Sequence, residues 1–280
     1  MENLGIVGAG AMGADLAQLA SEAGYKVHLF DINSESLHQA YNMISERLNK
    51  YYMDKRIDKS EADRVLSNIS FKNQIEDLAL SEIVLECVTE NKEIKMKVFA
   101  DLDRVCRGGV VFMSDTSSIS ITALGSATRR PESVIGLQFM IPARVMKVVE
   151  MIPGLLTTHE TIEIAKEFVN KMGKEYVISK DCPGFLLNRM LCLMINEAIS
   201  LVHEGAGTPE SIDKLMREGL NIPMGPLTLA DLMGLDIVLA IIEEMYKGYS
   251  DPKYRACPLL KQYVTAGYLG KKSGRGFYIY

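Results

Sequence analysis

The segment Leu4-Gly5-Ile6-Val7-Gly8-Ala9-Gly10-Ala11-Met12-Gly13 restricts the possible folds of this chain more than any other. The apolar Leu4, Ile6 and Val7 feed directly into Gly8-x-Gly10-x-x-Gly13, and helix-compatible sequence continues from Ala14 to Ala23. A second strand-like run, Val27-His28-Leu29-Phe30, ends at Asp31. In such a unit Gly8 allows the tight strand-to-helix turn. Gly10 lets the backbone approach a pyrophosphate, and Gly13 lets the helix pack close to the sheet. The diphosphate would rest on unpaired N–H groups around Ala11 and Met12, at the positive end of the helix. Asp31, eighteen residues past Gly13, is spaced to accept from both hydroxyls of an adenosine ribose. Its charge repels a 2′-phosphate, so the pattern predicts NAD over NADP.

The 280 residues are long for a single core and favour two domains. An apolar share of 48% with 24% charged residues suits a water-soluble globular chain. A net charge of −5 supplies no basic stripe for phosphate backbones, so nucleic acid is not an expected partner. The most apolar stretch, Leu229 to Ile242, is interrupted by Asp231 and Asp236 and is too short to span a bilayer. Only three residues precede the first apolar run, so no leader segment is expected. Five scattered cysteines without a C-x-x-C pair predict free thiols in a reducing cytoplasm. The four histidines form no H-x-x-x-H pair, and no metal site is expected.

After Asp31, Leu37, Tyr41, Ile44, Leu48 and Tyr52 recur at helical spacing, and a second helix is predicted from about Ser60 to Leu66. This pair reads as a helical hairpin inserted in the first half. Buried-type strands are predicted at Ile83–Val88, Val110–Met113, Val134–Phe139 and Val148–Ile152, with a helix through Ile94, Val98, Leu102 and Val105. Strands interleaved with helices imply an α/β fold, a doubly wound and mostly parallel sheet of the Rossmann type. From Pro183-Gly184 the character changes to long helical patterns through Phe185–His203, Pro209–Glu218 and Leu227–Tyr246. The expected domains are therefore 1–183, binding the dinucleotide, and 184–280, all-helical. Substrate is expected in the cleft between them. The apolar helices of the second domain predict a homodimer face.

The chain resembles the short-chain L-3-hydroxyacyl-CoA dehydrogenases nearly end to end. The matching blocks are Gly8–Gly13, Glu90-Asn91 with Lys95, Asp115-Thr116-Ser117-Ser118-Ile119, and Val145 to Glu150. They continue through Asp181 to Phe185 with Asn188-Arg189, Pro223-Met224-Gly225-Pro226, and Gly270 to Tyr278. The resemblance implies that Ser117 and Asn188 bond the reacting oxygen of the substrate. It also implies that Glu90, Lys95 and Lys272 lie near the cofactor.

The resemblance breaks at the centre of the chemistry. The family has a histidine in a His-Phe-Phe-Asn-Pro strand end, oriented by a glutamate twelve residues later, and that imidazole takes the hydroxyl proton. Here the segment reads Gln138-Phe139-Met140-Ile141-Pro142, while Glu150 is retained. A neutral amide donates a hydrogen bond but does not accept a proton at neutral pH. Two neighbours also differ. Asp115 replaces the family's usual asparagine, either as a turn cap or as a substitute base. Arg144 replaces its usual proline, either solvated or as a receptor for an anionic or carrier-bound substrate. Arg47 and Asp54 fall near where the family places its serine and lysine contacts to coenzyme A, so the handle differs there, and Arg47, Lys50 and Lys55 make a candidate substrate surface.

Three functions follow from these features. The first is NAD-dependent interconversion of a 3-hydroxyacyl thioester and its 3-oxoacyl form. The second is the same chemistry on a short hydroxyacyl group carried by an acyl carrier protein. The third is a non-catalytic NAD-binding sensor or partner subunit. Retention of Ser117, Glu150 and Asn188 favours an enzyme.

Overall fold

The computed structural model describes residues 2–280. The chain divides into two compact units, one ending at Asp181 and the other beginning at Cys182. The first unit opens with β1 (Asn3–Val7), α1 (Ala11–Glu22), β2 (Lys26–Phe30), α2 (Ser34–Met53), α3 (Lys59–Ser67) and β3 (Ile69–Lys72). It continues with β4 (Ile83–Glu86), α4 (Lys92–Val105), β5 (Val111–Ser114), α5 (Ile121–Gly125), β6 (Val134–Phe139), β7 (Val148–Pro153), α6 (His159–Lys171) and β8 (Glu175–Ile178). The eight strands form one sheet in the order β3-β2-β1-β4-β5-β6-β7-β8. Every neighbouring pair is parallel except β6–β7. The strand order reverses between β1 and β4, which makes that junction the switch point where ligands of such sheets bind.

Burial explains why these strands read as plain apolar runs. All four residues of β4 and of β5 are buried, as parallel strands covered on both faces must be. Helix α2 buries Leu37, Ala40, Ile44 and Leu48, a stripe at the i, i+3, i+4 spacing. Asn33 caps α2 and Asn91 caps α4, each side chain accepting a backbone N–H of the first turn. The α2–α3 hairpin stands between β2 and β3, as its long amphipathic pattern predicts. Four elements of this first unit were not legible in the sequence: β3, α5, α6 and β8. The two strands are four residues long, and in β8 every residue but Tyr176 is exposed, so neither carries a usable alternation.

The second unit is all-helical: α7 (Leu187–His203), α8 (Pro209–Leu220), α9 (Pro226–Met233), α10 (Leu235–Tyr249) and α11 (Pro258–Thr265). Cys192, Ile195, Ile199, Leu227, Val238 and Ile242 belong to its core. The pattern over Leu227–Tyr246 predicts one helix, but the structure has two. Gly234 at φ +99° breaks the run, a backbone state that side-chain-bearing residues avoid. The carboxyl-terminal segment from 270 to 280 contains bridges but no named strand. Arg275 makes isolated antiparallel bridges to Gly270 and Ile279. The buried carboxylate of Asp231 holds the segment by accepting the N–H groups of Phe277 and Tyr278 at 3.0 and 2.9 Å.

Candidate active site

The glycine turn after β1 has the geometry of a phosphate cradle. Gly8 sits at φ +103°, and a Cβ there would lie 2.8 Å from the Cys87 carbonyl oxygen. A Cβ on Gly13 would collide with the Gly8 carbonyl oxygen, so α1 crosses the turn at a distance only glycine permits. Gly10 is the opposite case: a Cβ would meet nothing within 4 Å and would fill the open approach to the helix. No side chain caps α1, which leaves its first-turn N–H groups, from Ala11 to Gly13, for an outside acceptor. At the end of β2, Asp31 accepts the N–H groups of Ala9 and Asn33, each at 2.8 Å. Its charge is thereby fixed beside the turn, with lone pairs remaining for ribose hydroxyls. The uncapped helix start, the open side of Gly10 and the pinned acid fit NAD.

Glu90 organises the loop that carries Ser117. One carboxylate oxygen accepts the Thr116 hydroxyl at 2.7 Å, the Ser117 N–H at 2.9 Å and the Ser118 N–H at 3.0 Å. The Ser117 and Ser118 hydroxyls reach the same oxygen at 3.1 and 2.9 Å. The other Glu90 oxygen lies 3.5 Å from the Lys95 ammonium. Burial opposes the charge on Glu90, yet Lys95 and the donors hold its carboxyl below the usual carboxylate range.

Lys95 is fully buried and bonds Glu86 at 2.6 Å and the Val88 carbonyl oxygen at 3.1 Å. Lys95, expected near the cofactor, is thus enclosed between Glu86 and Glu90. Glu86, the last residue of β4, is also fully buried and accepts the Ser114 hydroxyl at 2.6 Å and the Val88 N–H at 2.7 Å. Sequence reasoning missed Glu86, although a lone carboxylate ending the run Ile83-Val84-Leu85 is a recognisable signal.

Gln138 and Glu150 are paired across the antiparallel β6–β7 ladder and are 6% and 4% exposed. The side-chain oxygen of Gln138 is buried without a hydrogen-bond partner among the described residues. Asp115, just past β5, accepts the Phe139 N–H at 2.8 Å and donates its own N–H to the Glu86 carbonyl at 2.8 Å. Burial pushes its carboxyl up to about 7. The Phe139 N–H and Lys95 act in the other direction, and Glu86 and Glu90 reinforce the rise. Ile141, at the family's asparagine position, is largely exposed.

The outlying basic residues fall into two groups. The Arg144 guanidinium pairs with Glu22 at 3.0 Å, bonds the Tyr51 hydroxyl at 3.3 Å and lies over the Tyr51 ring. Arg144 is therefore not a solvated cation, which corrects that expectation, while its Nε and Nη1 have no hydrogen-bond partner among the described residues. Arg47 pairs with Asp15 at 2.8 Å and bonds Gln18 at 3.0 Å, which turns it toward α1. Lys50 and Lys55 stay exposed near the end of α2, where Lys55 and Arg56 line a surface depression with Tyr52, Ile57 and Asp58. In the second unit Asn188 is buried in the first turn of α7, and Lys272 pairs with Asp236 at 2.6 Å.

A doubly wound sheet, an uncapped glycine turn and an acid closing β2 define a dinucleotide-binding protein of the dehydrogenase class. Residues 3–182 match the family model for the 3-hydroxyacyl-CoA dehydrogenase NAD binding domain, and residues 184–280 match the model for the C-terminal domain. The chain belongs to the 3-hydroxyacyl-CoA dehydrogenase family. It is 45% identical over 275 residues to a probable 3-hydroxybutyryl-CoA dehydrogenase of Bacillus subtilis, covering 98% of this chain and 96% of that one. It is 44% identical over 280 residues to the 3-hydroxybutyryl-CoA dehydrogenase of Bradyrhizobium diazoefficiens, covering 100% and 96%. Among solved structures, the (S)-3-hydroxybutyryl-CoA dehydrogenase of Ralstonia eutropha superposes with a TM-score of 0.97 at 39% identity, covering 100% of this chain and 99% of that one.

Proposed function

We propose that this chain is an NAD-dependent dehydrogenase that interconverts a 3-hydroxyacyl thioester of coenzyme A and its 3-oxoacyl form. One observation supports this reading above the others. At the carboxyl edge of the sheet, the Ser117 loop is tied to Glu90 and the carboxylate of Glu150 is kept opposite position 138. A protein that only sensed the cofactor has no use for those groups in register. NAD supplies the hydride acceptor. Asp31 and the α1 amino end hold its ribose and diphosphate, and Glu90 presents Ser117 to the substrate oxygen. Asn188 is assigned as a substrate contact by resemblance alone, and Lys272 as a cofactor contact on the same ground. Lys50 and Lys55 are the exposed cations available to the phosphates of coenzyme A. A general base contributes about 10²–10⁴-fold beyond what proximity and orientation supply, so the loss of histidine lowers turnover without removing the reaction.

A short hydroxyacyl group on an acyl carrier protein is the alternative handle. Exposed Leu215, Leu220, Leu232 and Ile237 on the second unit support a homodimer formed through residues 184–280, the unit proposed to carry assembly. No helix among the described residues is long and apolar enough to cross a membrane, and the five free cysteines suit a cytoplasmic enzyme. The reading is tested by steady-state consumption of NADH with acetoacetyl-CoA and, in parallel, with acetoacetyl carrier protein. Turnover on the coenzyme A thioester supports it. Turnover on the carrier-protein thioester alone transfers the handle, and NADH binding without turnover on either replaces it with the sensor reading.

A further inference from the structure

We propose that the Asp115 carboxyl is the acid–base of this chain's reaction, holding the proton that the family's histidine holds elsewhere. The proposal rests on the dehydrogenase reading above and names the group that completes it. Asp115 stands at the carboxyl end of β5, two residues before Ser117. One of its oxygens is anchored by the Phe139 N–H at 2.8 Å, adjacent in the chain to Gln138, and its own N–H is anchored by the Glu86 carbonyl at 2.8 Å. The carboxyl is therefore fixed between the strand end that lost the imidazole and the loop that presents Ser117. Anchoring occupies one oxygen and leaves the other to carry a proton.

The neighbouring ionisable groups are committed elsewhere. Glu86, at the end of β4, is bound to Lys95 at 2.6 Å and to the Ser114 hydroxyl at 2.6 Å. Glu90, leading into α4, is saturated by the 116–118 loop and faces Lys95 at 3.5 Å. The Cys87 thiol is pushed well up by burial and by Asp115 and Glu86, so it stays neutral. Burial is the main influence raising the Asp115 carboxyl, the Glu86 and Glu90 carboxylates add to it, and the Phe139 N–H and Lys95 oppose it. That balance keeps its proton exchangeable near neutrality, where acid–base catalysis is most efficient. Asp115 is only half-buried, which gives the proton a route to solvent.

In the oxidation direction the substrate O–H bond breaks and its proton passes to the free oxygen of Asp115. The C3–H bond breaks with its electron pair as the C3=O bond forms, and NAD⁺ held by Asp31 and the amino end of α1 would supply the acceptor for that hydride. The products are the 3-oxoacyl thioester, NADH and protonated Asp115, which then releases its proton to solvent. Reduction runs the same steps backward and needs Asp115 protonated.

Asp115→Asn restores the amide that relatives carry at this position and preserves the shape of the side chain. Wild type and variant are compared in both directions, at pH values on either side of neutrality, with 3-hydroxybutyryl-CoA and acetoacetyl-CoA. The expected wild-type oxidation rate rises with pH through about 7 and then levels. The variant should lose about 10²–10⁴-fold, with a flat profile and unchanged NADH binding. Infrared difference spectra of the protein without cofactor give a readout independent of turnover. A protonated-carboxyl band should disappear through about pH 7 in wild type and be missing from Asp115→Asn. A variant with wild-type rates, or a pH profile that is instead removed by Glu150→Gln, overturns the proposal and leaves the dehydrogenase reading standing. A wild type that binds NADH and turns over neither thioester overturns both.

Discussion

Gln138 and Glu150 stand directly opposite one another in the antiparallel β6–β7 pair, although twelve residues separate them in the chain. Directly opposed side chains of such a pair lie about 4.5–5.5 Å apart at Cβ, close enough for an imidazole at 138 to be oriented by the carboxylate. The ladder keeps Glu150 opposite position 138, where this chain carries an amide in place of a proton acceptor. Gln138→His in the Asp115→Asn background should therefore recover roughly 10²-fold of the lost turnover, the low end of general acid–base catalysis. The same change in wild type should add little. Ile141→Asn is combined with it as a further variant, since the family's asparagine is also absent. Steady-state rates on acetoacetyl-CoA check this, and equal rescue in both backgrounds would contradict it.

Asp31 should set cofactor choice. Because its two oxygens are pinned by Ala9 and Asn33, the charge cannot swing away from a 2′-phosphate. NADH should bind at least about tenfold more tightly than NADPH, a difference of about 1.4 kcal/mol. Asp31→Asn should narrow the gap and weaken NADH, because one backbone N–H loses its acceptor. Fluorescence titration of both cofactors measures this, and equal affinity in wild type would contradict it.

Lys95→Met should destabilise the first unit by about 3–5 kcal/mol, since it leaves the fully buried Glu86 carboxylate without its cation. Urea unfolding reads the loss. The change should also loosen the Ser117 loop, so turnover should fall even where the variant is fully folded.

Asp115 makes stability fall as pH rises. Its folded carboxyl titrates near 7, above its unfolded value of 3.8, so between those values the folded state binds more protons than the unfolded one. The protein should lose roughly 2–4 kcal/mol across that window from this group and show no further loss from it above about pH 7. Asp115→Asn removes that component. It should match wild type at the acidic end of the window and exceed it in stability at mildly alkaline pH, by thermal or urea unfolding.

The backbone plan was legible because local chemistry writes it. Gly8, Gly10 and Gly13, the acid at 31, and the apolar runs of β1, β2, β4, β5, β6 and β7 each act within a few residues. The α2–α3 hairpin showed itself through helical spacing alone. What remained hidden depends on partners distant in sequence. Glu90 meets Thr116 and Ser118 across 26 and 28 residues, Glu86 meets Ser114 across 28, and Arg144 meets Glu22 across 122. No spacing rule reaches that far. Arg144 read as a solvated or substrate-facing cation because its counter-ion lies on α1. The break between α9 and α10 was obscured for another reason: one glycine in an apolar helical pattern does not announce a positive φ.

The central claim is that the protein transfers hydride to a 3-oxoacyl thioester although position 138 carries an amide. NADH labelled with deuterium at the transferring position, incubated with acetoacetyl-CoA and the wild-type protein, tests it by mass spectrometry and NMR of the product. The account predicts 3-hydroxybutyryl-CoA with deuterium on C3. Unlabelled product, or no product from a protein that binds NADH, would contradict it.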